Sequence, residues 1–438
     1  MKNKKRKNRS TELSNIKANI STAAKRVSVF FSTEPQKEKV LSHEDFTPAG
    51  DVYYASVSAK YKVAQRVLSI FLVFFLLVSI ITNFREITFD NMFYLARDFA
   101  SAADESNNNY ETLSYESDSR QRFALFRGGI ASVSPSKLSV FTATGRRTLN
   151  ETVEFSSPYM VSSDKYLLVY DTANKVVEIY NSFARIYSKT LDKQIKGACL
   201  ADNGAFALIT ENTGESSCVR IYDKNFELKA EWNDIPGYVF NISLDSTGKR
   251  IAVLSYSTDS GIGNTKLTVV DVSKIQSSKG SGIPKDIDVK YSGETPIKCG
   301  FTDNGGLSVI TDSHIRFLNA DYEEIQISDN YSGGRITGYS VNKYGTAVSI
   351  INQSHSMILG YNNKGTLVYD RIIPYNVLDL CMYGEYLFVK TEQGVVRINV
   401  KKQSSEIMNS GNGKMLVYNE NTALVCGESK AEYIVFED

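Results

Sequence analysis

Tryptophan is nearly missing from this 438-residue chain: a single Trp stands against 26 Tyr and 22 Phe. Proline (8) and histidine (3) are also scarce. The three histidines, His43, His314 and His355, sit in unrelated surroundings, and no Ser-His-Asp or Cys-His arrangement can be built from them. The cysteines Cys199, Cys218, Cys299, Cys381 and Cys426 are odd in number, widely spaced and lack any CxxC pair. That spacing excludes a disulfide framework and the usual zinc patterns. They read instead as small buried apolar residues. Asp286-x-Asp288 is too short for a calcium loop, and no GxGxxG or P-loop opens a helix. No catalytic residue, cofactor-binding residue or metal ligand is assigned on these grounds, and no cofactor is expected.

What is present divides by charge. Residues 1–66 hold fourteen Lys/Arg against six Asp/Glu, a net of +8, so the rest carries −7 within an overall +1. A split of this kind points to a tail and a body in different surroundings. Between them, Val67 to Phe84 is an 18-residue run without a charge, bracketed by Arg66 and Arg85. A helix of that length covers about 27 Å, close to the hydrocarbon thickness of a bilayer. The flanking arginines can extend their heads to the interfaces as anchors. The long preceding region and the absence of a small-x-small pattern after the run argue for an uncleaved signal anchor. Lys60, Lys62 and Arg66 precede the span, whereas Arg85 and Arg97 are balanced by Glu86, Asp90 and Asp98. The positive-inside rule then places the N-terminus in the cytoplasm and the C-terminal region outside.

Residues 1–62 are expected to be a basic, disordered tail, rich in Ser, Thr, Asn and Lys. The run from Lys2 to Arg9 is read as attracted to anionic lipid head groups, not as a nucleic-acid patch. The anchor occupies 63–84. Residues 85–109 are expected to form a stalk and linker, with Phe89, Phe93, Ala96, Phe99, Ala100 and Ala103 at helical spacing before a polar SAADESNNN stretch.

From 110 to 438 two signals recur. The first is an Asp/Asn-Gly turn followed by an apolar strand, with Gly204, Gly248, Gly305, Gly345 and Gly384 at steps of 44, 57, 40 and 39. Such turns supply the positive φ of tight hairpins. The second is a strand ending in a polar turn, in seven copies: Leu138–Phe141, Val177–Tyr180, Val219–Tyr222, Leu267–Val270, Ile315–Leu318, 357–360 and Val395–Ile398. A period near 40 residues with four strands each is one blade of a β-propeller. The 57-residue step falls where Ser257–Asn264 and Lys274–Lys285 are Gly/Ser-rich, so expanded loops are expected there. Three further strands after Lys414, joined by one near Tyr110–Glu116, favour eight blades over seven. The expected fold class is all-β, a seven- or eight-bladed β-propeller preceded by one transmembrane helix.

The basic tail, the single span and the VxIY strand ends together resemble an uncharacterised group of membrane-anchored extracytoplasmic propeller proteins of Gram-positive bacteria. The repeats are similar to quinoprotein-like and lipoprotein-like propellers. The resemblance implies envelope assembly as the setting. The tryptophan-docking repeats of true quinoprotein dehydrogenases are absent, since Trp232 is the sole tryptophan. The expected function is a non-enzymatic platform for an unidentified envelope protein or wall polymer. A polysaccharide-acting enzyme with its site in the propeller funnel, and a transmembrane sensor signalling to the tail, are the alternatives.

Overall fold

The computed structural model describes residues 49–82 and 110–437, apart from 182–183, 213–216, 276–282, 332 and 353–354. It divides into two units, Met1–Glu86 and Ile87–Asp438. In the first unit one helix, α1, runs Ala49–Thr82. It begins upstream of the expected boundary at 63, so residues 49–62 are helical where a disordered tail was expected. The reason is local. From Ala49 to Thr82 the sequence contains no proline, which would break a helix. Within α1, 60–78 is long and apolar enough to cross a membrane, and its side chains are uncovered. Arg66 and Val67 lie on α1. Phe84, Arg85 and the expected stalk lie outside the described residues.

The second unit is an eight-bladed propeller. Eight four-stranded antiparallel sheets follow one another. Blade one spans 122–152, blade two 158–190, blade three 195–232 and blade four 238–292; blade five spans 296–327, blade six 335–373 and blade seven 377–409. In blades one to seven the four strands are sequential, and the first strands of neighbouring blades touch, so they ring the axis. Blade eight takes three strands from 414–435 and its outermost strand, Leu113–Ser114, from the other end of the unit.

Burial follows from this order. A second strand has a neighbouring blade on each face and no free edge. Leu167–Asp171, Leu307–Thr311 and Thr422–Cys426 are accordingly buried at every position. Such strands read as near-continuous apolar runs, without alternation. Outermost strands carry the charge: Arg185–Thr190, Glu324–Ile327 and Ser404–Asn409 are almost wholly exposed. Eight apolar clusters fill the eight gaps between blades.

The seven repeated strand ends are the third strands of blades one to seven. The Asp/Asn-Gly turns are the hairpins between first and second strands. Gly248 shows why glycine is required. Its φ is 67°, and a Cβ there would meet Ala205 Cβ at 2.7 Å and Asn203 Oδ1 at 2.8 Å, across the gap between blades three and four. Gly248→Ala is therefore expected to cost about 1–3 kcal/mol, measured as a lower urea midpoint with an unchanged slope. An unchanged midpoint would show that the hairpin relaxes freely.

One expectation needs correction. The Ser257–Asn264 stretch is not an expanded loop. It is the tip of a long hairpin formed by Arg250–Asp259 and Ile262–Asp271, paired out to Asp259↔Ile262. Ser260 (φ 51°) and Gly261 (φ 82°) make the two-residue turn, and positive φ at both positions matches the right-handed twist of the strands. Small polar residues here extend the ladder instead of breaking it.

Candidate functional site

The first hairpin of each blade turns at one face of the propeller, beside the axis. There a cavity of about 760 Å³ opens, walled by hairpins of blades one, two, three, six, seven and eight. Its position follows from the topology, because only the innermost strands and their turns reach the axis.

The hairpins are hydrogen-bonded to one another around the rim. The Asp164 backbone N–H donates to Asp202 Oδ1 at 3.0 Å, and the Asp202 N–H donates to Ser246 O at 3.1 Å. On the other side, Asn342 Nδ2 donates to Met382 O at 2.9 Å while Asn342 Oδ1 accepts from the Tyr344 N–H at 2.8 Å. A side-chain amide thus shapes its own turn and holds the next blade. Rim carboxylates and amides are in this way positioned by neighbouring blades, not only by their own.

Tyrosines line the second arc. The rings of Tyr344 and Tyr383 are 4.3 Å apart and tilted by 37°. Burial pushes the Tyr383 phenol above its ordinary value, and the hydrogen bond with Tyr344 adds to this. Lys343 Nζ lies 5.4 Å from the Tyr344 ring centre, within cation–π range. Tyr418 Oη donates to Gly128 O at 2.8 Å, tying blade eight to blade one. Arg127, in the positive-φ turn of blade one (φ 47°), also reaches the cavity.

The Cys381 thiol lies in the cavity wall, with its pKa raised to about 11 by burial. It is protonated at neutral pH and is therefore a poor nucleophile. Burial likewise raises the other four thiols. Among the described histidines, His314 stands just before the third strand of blade five, its Nδ1 3.4 Å from Glu294 Oε1. His355 opens the third strand of blade six and is exposed. The structure does not bring them together. The rim itself was only half legible in advance. The Asp/Asn-Gly turns pointed to the hairpins of blades three to seven, but Arg127, Asp164 and Tyr418 stand in turns that lack that signature.

Residues 103–436 match the model of a family of unknown function, DUF5711. The chain belongs to this family. No curated protein matches the sequence. Among solved structures, this DUF5711 chain is similar to Sqt1 of Saccharomyces cerevisiae, with a TM-score of 0.54 at 11% identity over 75% of this chain and 99% of that one. It is also similar to a eukaryotic initiation factor, with a TM-score of 0.50 at 9% identity over 73% of this chain and 85% of that one. BamB of Moraxella catarrhalis aligns with a TM-score of 0.48 at 10% identity, over 74% and 98%. At such identities the first two likenesses speak to the fold alone.

Proposed function

We propose that this protein is a single-pass membrane protein whose propeller stands on the extracytoplasmic side as a non-enzymatic platform for an envelope protein or wall polymer. The observation that carries the reading is the axial mouth. It combines Tyr344, Tyr383, Tyr418 and Arg127, of the residue types enriched in recognition surfaces, with the polar rim residues Asp164, Asp202 and Lys343. The uncovered apolar helix supports the anchor. The charge asymmetry of its flanks supports a cytoplasmic N-terminus, with the basic tail against anionic lipid.

Two measurements test this. Four of the five native thiols are buried and the fifth, Cys381, is half-buried, so an added cysteine gives a clean topology probe. Ser405→Cys, on an exposed outer strand, is expected to react with a membrane-impermeant maleimide in intact cells, and Ser10→Cys only after lysis. The reverse pattern sinks the proposed orientation. A photo-crosslinking residue at Lys343 is expected to yield one discrete adduct in growing cells. Failure to trap any adduct from the whole rim counts against the platform.

A second reading rests on Asp164 and Asp202, two carboxylates on adjacent rim hairpins. Glycoside hydrolysis uses such a pair. However, Asp164 is solvent-exposed, without the apolar enclosure that a general acid requires. Hydrolysis of a wall polysaccharide that is abolished by Asp202→Asn would favour this reading over the first.

A further inference from the structure

We infer that the axial mouth takes an extended polypeptide segment that carries a basic and an acidic side chain, laid across the ring from blade two to blade six. The inference deepens the platform reading and rests on it. Its basis is how the lining divides. Asp164 and Asp202 stand on the arc of blades two and three. Lys343 stands on blade six and Arg127 on blade one, with Tyr344, Tyr383 and Tyr418 between them on blades six to eight. In a ring of eight, blades two and six are diametrically opposed. Asp164 and Lys343, both exposed, therefore face each other across the opening.

This arrangement selects among ligand chemistries. A small ion meets one sign of charge and leaves the opposite side unused. A polyanionic wall polymer is attracted to Lys343 and Arg127 but meets Asp164 and Asp202 with like charge, which costs affinity. A neutral glycan leaves both arcs without a partner. A peptide with a cation and an anion a few residues apart satisfies both, and the opposed signs fix its direction. Tyr344 and Tyr383 supply rings for its side chains, at low entropic cost because the two are already packed against one another. The cavity of about 760 Å³ lies within the range of specific ligand sites.

The test begins with selection of a random-sequence peptide library against the full chain in lipid nanodiscs. Enriched peptides are expected to pair Lys or Arg with Asp or Glu at a recurring spacing. Asp164→Lys is expected to weaken a selected peptide about tenfold, and exchanging the peptide's basic residue for Glu should restore its affinity for that variant. Lys343→Glu should respond in the same way to exchange of the peptide's acid for Lys. Both positions are exposed, and an unchanged unfolding transition verifies that each variant is folded. Peptides that bind the native and doubly reversed chains equally overturn the inference while leaving the platform reading standing, since they bind elsewhere. A selection without enrichment, or stronger binding of poly(glycerol phosphate) than of any peptide, also overturns it. Crosslinking at Lys343 in cells then judges the platform reading independently.

Discussion

Glu294→Ala is expected to destabilise the propeller by about 3–5 kcal/mol, because it strands a buried guanidinium. Glu294 lies in the connection from blade four to blade five and holds Arg316, on the third strand of blade five, with two bonds: Arg316 Nη1 to Oε2 at 2.6 Å and Nη2 to Oε1 at 2.5 Å. The two side chains are only 8% and 10% exposed. Thr311 Oγ1 donates to Glu294 Oε2 at 2.6 Å, and Thr265 Oγ1 donates to the Glu294 carbonyl at 2.7 Å. The Arg316 guanidinium packs over the Tyr291 ring at 4.3 Å. A bidentate pair so enclosed contributes little relative to an apolar pair, but removing one half leaves a charge that water cannot reach. The double variant Glu294→Ala/Arg316→Met should therefore recover most of the loss. By contrast Glu324, which also reaches Arg316 but is 42% exposed, should cost under about 1 kcal/mol when replaced by Ala. Equal losses from Glu294→Ala and Glu324→Ala in chemical denaturation would refute this assignment.

The same cluster sets an acid limb. Burial alone would raise the Glu294 carboxyl, but hydrogen bonds from Arg316 and Thr311 and the nearby charges outweigh it, so its pKa lies below the ordinary glutamate value. The folded state then releases this proton more readily than the unfolded state. Stability from the cluster is fully present above the ordinary value near pH 4.3 and is lost as pH falls through the depressed folded one. Glu294→Ala should flatten the loss of stability in this acid window, measured as urea midpoints at falling pH.

This cluster also marks where reading the sequence stops. The eight-bladed ring was legible because its two signals repeat. Third strands such as Val219–Tyr222 and Val395–Ile398 are apolar at the same phase, and glycine recurs where a hairpin demands positive φ. Even the outermost strand of blade eight could be anticipated, since three strands after Lys414 need a fourth. The Glu294–Arg316 pair does not repeat, and its partners are 22 residues apart with two strands and two turns between them. The opposition of Asp164 and Lys343 was hidden for a related reason: it depends on the number of blades, which a local pattern does not encode. The start of α1 at Ala49 was missed because Ser and Lys dominate the composition of the tail, masking a stretch without helix breakers after Gly50.

The largest effect at the closure is expected from Leu113. Blades one to seven are each built from one continuous stretch of chain, whereas blade eight is completed by the two-residue strand Leu113–Ser114, which pairs with Lys430–Val435 and then runs on into blade one, so the ring is closed by that pairing and the packing around it. Leu113 is 2% exposed and packs with Ile130 and Phe141 of blade one and Leu424, Cys426 and Ala431 of blade eight. Tyr115 extends the clasp, with its N–H to Ser429 O at 3.0 Å and its Oη to Gly427 O at 2.7 Å. Tyr110 stacks on Tyr433 at 4.7 Å. At the other end of the unit, Phe436 is buried against Phe388, and Arg397 lies 5.1 Å from the ring centres of both Tyr386 and Phe436 while donating to Asn421 Oδ1 and to the Glu437 carbonyl. Leu113→Ala should cost about 2–4 kcal/mol from lost burial and the cavity left behind. Leu113→Asp should cost more, because it places a carboxylate among Ile130, Phe141, Leu424 and Ala431. For a domain of this size a loss near 3 kcal/mol lowers Tm by about 4 °C. The seam gives the effect a location as well as a size. Amides of the strand Lys430–Val435, which pairs with Leu113–Ser114, should lose exchange protection first, ahead of blades three to five. Replacing Leu307, buried in the gap between blades four and five, with Ala should destabilise by a comparable amount without opening the seam. Hydrogen exchange that rises uniformly around the ring in Leu113→Ala would show that the clasp is not where the propeller opens.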